Sequence, residues 1–154
     1  MKPKNIKEAR PNNIKGCHNL ILIAFFVTVY AFHGGTFEDS SRRTLGYISD
    51  SGTVEDSSRR TIGYIDSDGD VEDSSRRTLG YIKNGTFEDS SRRTLGYIDS
   101  DGDVEDSSRR TLGYIDDDGE VEDSSRRTLG YAKGVKKEHA AAFFFFHFKK
   151  HAKK

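Results

Sequence analysis

The residues best suited to chemistry in this chain are acidic, hydroxyl and guanidinium side chains that recur together as Asp-Ser-Ser-Arg-Arg. This string begins at Asp39, Asp56, Asp73, Asp89, Asp106 and Asp123. Its arginines could grip carboxylate or sulfate groups, because a guanidinium presents its donors as a planar fork. The alternative is local ion pairing on a solvated edge, worth about 0 to 1 kcal/mol per pair. Six equal copies argue against an enzyme, because catalysis needs a few unlike groups converging on one point.

Aspartate-rich linkers between the copies raise the question of calcium, because clustered carboxylates suit a hard cation. Residues 99–103 and 116–119 are the clearest cases. The EF-hand pattern is not met, since glycine comes fourth and Arg110 stands twelfth in the loop that begins at residue 99. His147 and His151 lie four residues apart but lack a third ligand. We therefore expect ordinary hairpin turns, no metal site and no cofactor.

The distribution of charge divides the chain into three parts. Residues 35–132 hold 23 acidic and 13 basic residues, a net charge of −10, whereas residues 1–34 carry +4 and residues 133–154 carry +6. The acidic body should repel nucleic acid, while the basic ends could contact an anionic membrane surface or the acidic body itself. Cys17 is the single cysteine, so the chain has no intrachain disulfide framework.

A short internal repeat organises the acidic body. Equivalent glycines recur after 17, 17, 16, 17 and 17 residues, at Gly35, Gly52, Gly69, Gly85, Gly102 and Gly119. A fixed short period is typical of repeat folds, whose units bury apolar surface only against their neighbours. The residue two positions after each glycine reads Phe, Val, Val and again Phe, Val, Val, which indicates a duplicated block of three repeats. Only 33% of the residues are apolar, so ring closure or homo-oligomerisation should be needed to complete a core.

Each repeat has the pattern of a β-hairpin. Residues 53–56 alternate polar and apolar side chains, and residues 61–65 are β-branched and aromatic. The linker at residues 66–69 suits a type I turn that ends in a left-handed glycine, and Asn84-Gly85 suits a type I′ turn. The sequence therefore predicts an all-β fold of six tandem hairpins that form a closed, flower-like or solenoid array.

Alternation along the strands predicts which face is buried. Ile62 and Tyr64 share one face of the second strand, and Gly63 and Ile65 share the other. We expect the more apolar face, with Ile62 and Tyr64, to line the interior together with Val54. Gly63 would then allow close packing on the opposite side.

Residues 1–34 form a basic leader that resembles a signal peptide. Five basic residues precede the uncharged run at residues 20–32. This run is shorter than the roughly 17 to 25 residues of a spanning helix and fits a signal-peptide core of roughly 7 to 15. We expect cleavage near Ala31 and a secreted or cell-envelope protein. An uncleaved anchor and a buried strand or helix are the alternatives.

The tail, residues 133–154, contains an apolar stretch at residues 140–148 that is too short to span a bilayer. Its candidate contact residues are Phe143, Phe144, Phe145, Phe146 and Phe148. They could plug the core of the array, since one phenylalanine can bury roughly 150 to 250 Å². Alternatively they could enter a membrane interface while the following lysines contact anionic head groups.

The repeated pattern G-x-V-x-D-S-S-x-R-T-I-G-Y-I, between an apolar leader and a phenylalanine-rich end, resembles the 5-fold beta-flower proteins of Bacteroides-type bacteria. The resemblance implies a bacterial, secreted or envelope-exposed, non-enzymatic β-repeat protein. This chain departs from that family by having six copies. It also has arginine where we expect glycine, at Arg42, Arg59, Arg76, Arg92, Arg109 and Arg126. Arginine in a left-handed turn would cost about 1 kcal/mol or more, so either the turn differs or the array is strained.

Two functions follow from these observations. The leading hypothesis is a secreted or envelope-associated, non-enzymatic repeat protein with a structural or multivalent-binding role toward an unidentified ligand. The alternative is a membrane-docking or membrane-active protein that works through its Phe- and Lys-rich C-terminus.

Overall fold

The structure, a computed structural model, describes residues 34–152, where the chain forms twelve strands and two short helices. The predicted signal peptide and its cleavage near Ala31 lie outside the described residues. The strands are β1 (Gly34–Asp39), β2 (Thr44–Ser49), β3 (Thr53–Asp56), β4 (Thr61–Ile65), β5 (Asp70–Asp73), β6 (Thr78–Lys83), β7 (Thr86–Asp89), β8 (Thr94–Ile98), β9 (Asp103–Asp106), β10 (Thr111–Ile115), β11 (Glu120–Asp123) and β12 (Thr128–Lys133). The helices are α1 (Lys137–Phe144) and α2 (Lys149–Ala152).

The strands form one closed antiparallel barrel. Each strand pairs with its neighbours in the chain, and β12 pairs with β1 in a register that runs from Thr36 opposite Lys133 to Asp39 opposite Gly130. Closure removes the two free edges that an open array would leave. The predicted all-β array of six tandem hairpins is confirmed, and the array is closed.

The two predicted kinds of linker are also confirmed. In the longer linker the backbone N–H of Gly69 donates to the Asp66 carbonyl at 3.2 Å, and Gly69 has φ of +91°. In the shorter linker Asn84 and Gly85 have φ of +50° and +73°, and Lys83 pairs directly with Thr86. The bulge in the longer linker absorbs one residue, so repeats of 16 and 17 residues deliver their strands in the same register.

The prediction of the inward face was wrong. Gly63 and Ile65 are buried together with Val54, whereas Ile62 and Tyr64 are only half-buried. One physical reason is a bulge: Thr61 pairs with Glu55 and Gly63 with Val54, so the strand holds one extra residue there. The other is that the interior holds the tail of the chain, which requires a wall without large side chains at that level.

The C-terminal tail runs through the barrel and fills it. Near its start, Lys137 contacts the linker residues Ser100 and Asp117, and residues 140–143 are fully buried. At its far end, His151 lies close enough to Asp56 in a hairpin turn for their charges to interact. The apolar tail therefore plugs the core, as the fold prediction had it. Within residues 34–152, no helix is long and apolar enough to cross a membrane.

The duplicated three-repeat block is visible in the core. Phe37 stacks on Phe143, with ring centroids 3.9 Å apart and planes 5° apart. Phe87, its counterpart in the second block, stacks on Phe146 at 4.3 Å and 23°. These two partners lie three residues apart in the tail, so the block of three repeats reappears as a pseudo-two-fold arrangement around it.

Candidate functional site

Six consecutive side chains of the tail each face the glycine of a different repeat. The pairs are Phe143 with Gly46, Phe144 with Gly130, Phe145 with Gly113, Phe146 with Gly96, His147 with Gly80, and Phe148 with Gly63. A Cβ atom added at any of these glycines would come within 2.5–3.4 Å of the facing ring and would collide with a carbonyl oxygen of the neighbouring strand. Each repeat therefore needs glycine at this position, because a ring of the tail and the backbone of the neighbouring strand both approach it closely.

The five phenylalanines singled out from the sequence all lie within this plug. Phe143, Phe144 and Phe148 are buried, and Phe145 and Phe146 are half-buried and pack against the core. Their position inside the barrel means that contact with a membrane would require the tail to withdraw. One side chain of the tail faces one repeat of the wall. The sequence signal for this match was a run of six aromatic residues in a chain that also has six equivalent glycines, one in each repeat.

His147 occupies the sixth place in this ring of side chains. Its Nε2 lies 3.0 Å from the carbonyl oxygen of Glu88 and, in the tautomer protonated there, donates a hydrogen bond to it. Its Nδ1 is buried and has no partner among the described residues. Burial lowers the pKa of His147, so the neutral form is favoured in the barrel. His151 follows on α2, and no group of three potential metal ligands forms in residues 34–152.

The outer face of the wall carries a belt of stacked side chains. Six arginines place their guanidinium carbon 3.2–3.6 Å from a tyrosine ring centroid, in the pairs Arg42–Tyr131, Arg59–Tyr47, Arg76–Tyr64, Arg92–Tyr81, Arg109–Tyr97 and Arg126–Tyr114. Each arginine also lies 2.9–3.7 Å from the carboxylate of the glutamate four residues earlier. The pair Arg42–Tyr131 joins the last repeat to the first. The nearly constant Tyr-to-Arg spacing along the chain was the signal that the sequence reasoning missed.

This belt explains arginine at a turn position where glycine was expected. All six arginines have φ of 61–64°, so the turn keeps its left-handed geometry. The backbone strain is about 1 kcal/mol or more per turn. A cation–π contact contributes about 0.5–1 kcal/mol at an exposed site, and an exposed ion pair adds about 0–1 kcal/mol. The two contacts offset the strain of the left-handed backbone.

The Asp-Ser-Ser-Arg-Arg turns form one rim of the barrel. In the second repeat, Asp56 Oδ1 accepts hydrogen bonds from the backbone N–H of Ser58 at 2.8 Å and of Arg60 at 3.1 Å, and its Oδ2 accepts from Arg60 Nε at 2.8 Å. The bond from the Arg60 backbone is the main reason why the pKa of Asp56 is lowered. The second arginine of each turn remains 80–81% exposed: Arg43, Arg60, Arg77, Arg93, Arg110 and Arg127.

The opposite end of the barrel is built differently. There the linkers surround α1, and a cavity of about 580 Å³ opens between this helix and the first three linkers. Its lining includes carboxylates, lysines, His139 and two isoleucines. A smaller cavity of about 140 Å³ lies beside it, lined in part by Gly34, Gly35 and Val135. The described part of the barrel thus offers two candidate binding surfaces, a rim of six like turns and the larger cavity among the linkers.

Comparison with known proteins gives one clear result. No curated protein and no solved structure matches the chain. The sequence profile of the 5-fold beta-flower proteins matches residues 34–148, which is the whole barrel together with the plug as far as Phe148. This match covers more than half of the chain, and we conclude that the chain belongs to the 5-fold beta-flower protein family.

Proposed function

We propose that this protein is a non-enzymatic barrel that works outside the cell or at the envelope by multivalent binding through its rim of Asp-Ser-Ser-Arg-Arg turns. The supporting observation is that six exposed arginines surround one end of the barrel, five of them 2.7–2.8 Å from the carboxylate of the aspartate four residues earlier and Arg43 at 3.9 Å. Membership of the beta-flower family fits a non-enzymatic repeat protein.

Each rim arginine has part of its guanidinium free for a ligand. Arg60 directs Nε and Nη2 to Asp56 Oδ2, at 2.8 and 2.7 Å, while its side chain is 80% exposed. Nη1 can therefore donate to a carboxylate or sulfate that approaches from solvent. One such contact is weak, but six on a rigid ring raise the effective concentration of each further contact. The Glu-Asp and Arg-Arg pairs of each rim unit balance, so the net charge of −10 in residues 35–132 lies in the linkers at the opposite end and not at the rim. The ligand class that suits this rim is a polymer with regularly repeated carboxylate or sulfate groups.

The number of rim arginines provides the test. We would measure binding of the full chain to immobilised heparin and polygalacturonate, with dextran as the uncharged polymer. Variants would carry Arg→Gln at one, three or all six rim positions, and a matched variant would carry Arg→Lys at all six. We expect affinity to fall more steeply than in proportion to the number of arginines removed, and lysine to restore it only in part. Equal binding by the six-fold glutamine variant, or no binding by the parent, would contradict the proposal.

The proposed location rests on the leader. Residues 1–34 have the charge and length pattern of a signal peptide, so the purified secreted product should begin near Phe32. Fractionation into medium, periplasm and membranes, combined with N-terminal sequencing, checks this. A product that still begins at Met1 would contradict cleavage.

The membrane-docking alternative has less support. Its phenylalanines pack inside the barrel, where Phe143 and Phe148 are at most 1% exposed. We therefore expect no binding of the native protein to anionic phosphatidylserine vesicles at neutral pH. Vesicle binding that is lost in a deletion of residues 140–154 whose circular dichroism still shows a folded barrel would favour the alternative.

A further inference from the structure

The linker end of the barrel contains a cavity of about 580 Å³, a volume in the range of small-molecule sites. Three successive linkers and the first part of α1 line it, together with the edges of Ile65 and Ile82, which are only 2% and 9% exposed. Elsewhere at the same end of the barrel, the start of α1 contacts two other linkers. There Lys137 Nζ lies 2.7 Å from Asp117 Oδ1 and donates to the Ser100 carbonyl at 3.3 Å.

The charged groups of this cavity differ from those of the rim. The carboxylates of Asp50, Asp68 and Glu138 line the cavity, and within residues 34–152 they form no ion pair and accept no hydrogen bond. Asp66 is partly satisfied, since its Oδ1 accepts from the backbone N–H groups of Asp68 and Asp70 at 3.0 and 2.9 Å. At the rim, by contrast, the repeated carboxylates are paired with arginines.

The basic groups of the cavity do not neutralise it. Four carboxylates face two lysines, Lys83 and Lys136, in its lining. His139 adds no stable positive charge, because burial and the nearby Lys136 lower its pKa. The lining therefore keeps a net negative charge at neutral pH, which attracts a cation from solution.

The repeat symmetry is broken at this place. The rim turns read Asp-Ser-Ser-Arg-Arg in all six copies, whereas the three linkers that line the cavity read Asp-Ser-Gly, Asp-Ser-Asp-Gly and Lys-Asn-Gly. The cavity is therefore lined by three unlike linkers, whereas the rim repeats one turn six times. A cavity of this size, which is open to solvent on one side, suits a small ligand rather than a repetitive polymer.

We propose that this cavity binds a small organic cation, namely an amine or guanidinium on a short aliphatic body. The cationic group would donate hydrogen bonds to the carboxylates of Asp50, Asp68 and Glu138. The short aliphatic body would lie between the linkers, beside the small exposed edges of Ile65 and Ile82. This proposal is independent of the rim, whose ligand class is anionic.

Agmatine is a suitable probe, because it carries both an amine and a guanidinium on a four-carbon chain. Calorimetric titration of the full chain should show saturable one-to-one binding that weakens with added salt. Butyrate and 1-butanol, which lack the cation, should bind far more weakly. We expect Asp68→Asn and Glu138→Gln each to weaken agmatine binding by about fivefold, which is about 1 kcal/mol.

Asp101→Asn is the matched control. Asp101 occupies the place of Asp68 in a linker of the same sequence but lies outside the cavity lining. Its substitution should leave agmatine affinity within about twofold of the parent, which is about 0.4 kcal/mol. The proposal is overturned if agmatine does not saturate, if 1-butanol binds equally well, or if Asp101→Asn weakens binding as much as Asp68→Asn.

Discussion

The inner and outer faces of the barrel wall come from the same strands but obey different constraints. On the inner face, Gly63 lies against the ring of Phe148, with no room for a methyl group. On the outer face, the adjacent Tyr64 is covered by the guanidinium of Arg76, which is itself 63% exposed. The inner face is governed by shape in a close-packed core, and the outer face by polar contacts at the solvent-exposed surface.

The inner and outer positions are each nearly the same in all six repeats, but for different physical reasons. An inner position cannot change alone, because the tail presents one ring to each repeat and a close-packed interior does not relax freely. An outer position could change alone at small cost, because exposed stacks and ion pairs are individually weak. Substitutions on the two faces should therefore differ clearly in their effect on stability.

The largest effect is expected from Phe143→Ala. Phe143 is fully buried and stacks on Phe37, so its removal leaves a cavity and should lower the free energy of unfolding by about 3–5 kcal/mol. Tyr64→Ala on the outer face should cost less than half of that. Urea denaturation with a common m-value measures both changes. Equal losses would contradict the contrast between the faces.

Gly63→Ala should follow, with a loss of about 1–3 kcal/mol from overpacking. Part of this loss comes from Phe148, whose Cε1 would lie 2.5 Å from the new Cβ. A double-mutant cycle with Phe148→Leu should therefore show coupling. The matched cycle with Phe145→Leu should show none, because Phe145 faces Gly113 instead. Equal coupling in both cycles would refute the one-ring-to-one-repeat register.

His147→Phe should change how stability depends on pH. Since burial lowers the pKa of His147 in the folded state, the unfolded chain binds its proton more readily, and stability falls as pH drops below about 6.5. The variant should flatten this slope by at most about 1.4 kcal/mol per pH unit. The lowered pKa of Asp56 acts separately, because that contribution is lost only as pH falls below about 4.

Denaturation between pH 5 and pH 8 measures the slope for His147→Phe. His139→Gln is the control, because His139 is half-buried like His147 and also has a lowered pKa, but lies outside the ring of side chains. The His139→Gln variant should remove only the part of the pH dependence of stability that His139 contributes. An unchanged slope in His147→Phe would show that protonation of this buried ring does not destabilise the plug.

The smallest effects are expected at Arg76 on the outer face. Arg76→Ala loses the contacts to Tyr64 and Glu72 but keeps the left-handed backbone, so it should cost about 1 kcal/mol. Arg76→Gly loses the same contacts but relieves the strain, so stability should stay within about 0.5 kcal/mol of the parent. Thermal denaturation of the pair measures the difference. A glycine variant less stable than the alanine variant would contradict the proposed balance.

Much of the fold could be predicted because its signals are local. Asn84-Gly85 specifies its own turn, and alternation in residues 53–56 specifies a strand, whatever lies across the barrel. The face that points inward could not be predicted this way, because a bulge at Ile62 and the presence of the tail reversed it. Of the site residues, the phenylalanines were recognised as core or membrane candidates, but their partners were not.

The sequence alone determined the number of hairpins, their turns and the presence of an aromatic tail, since repeats, turn residues and composition act over a few residues. Only the tertiary structure decided that the barrel closes, that the tail threads it in register with Gly46 to Gly130, and that Arg42 stacks on Tyr131. These pairings join residues far apart in the chain. The pairings of the tail exist because the interior of a closed wall must be filled, and no local pattern records which side chain will fill it. The stack of Arg42 on Tyr131 exists because closure places the last strand beside the first.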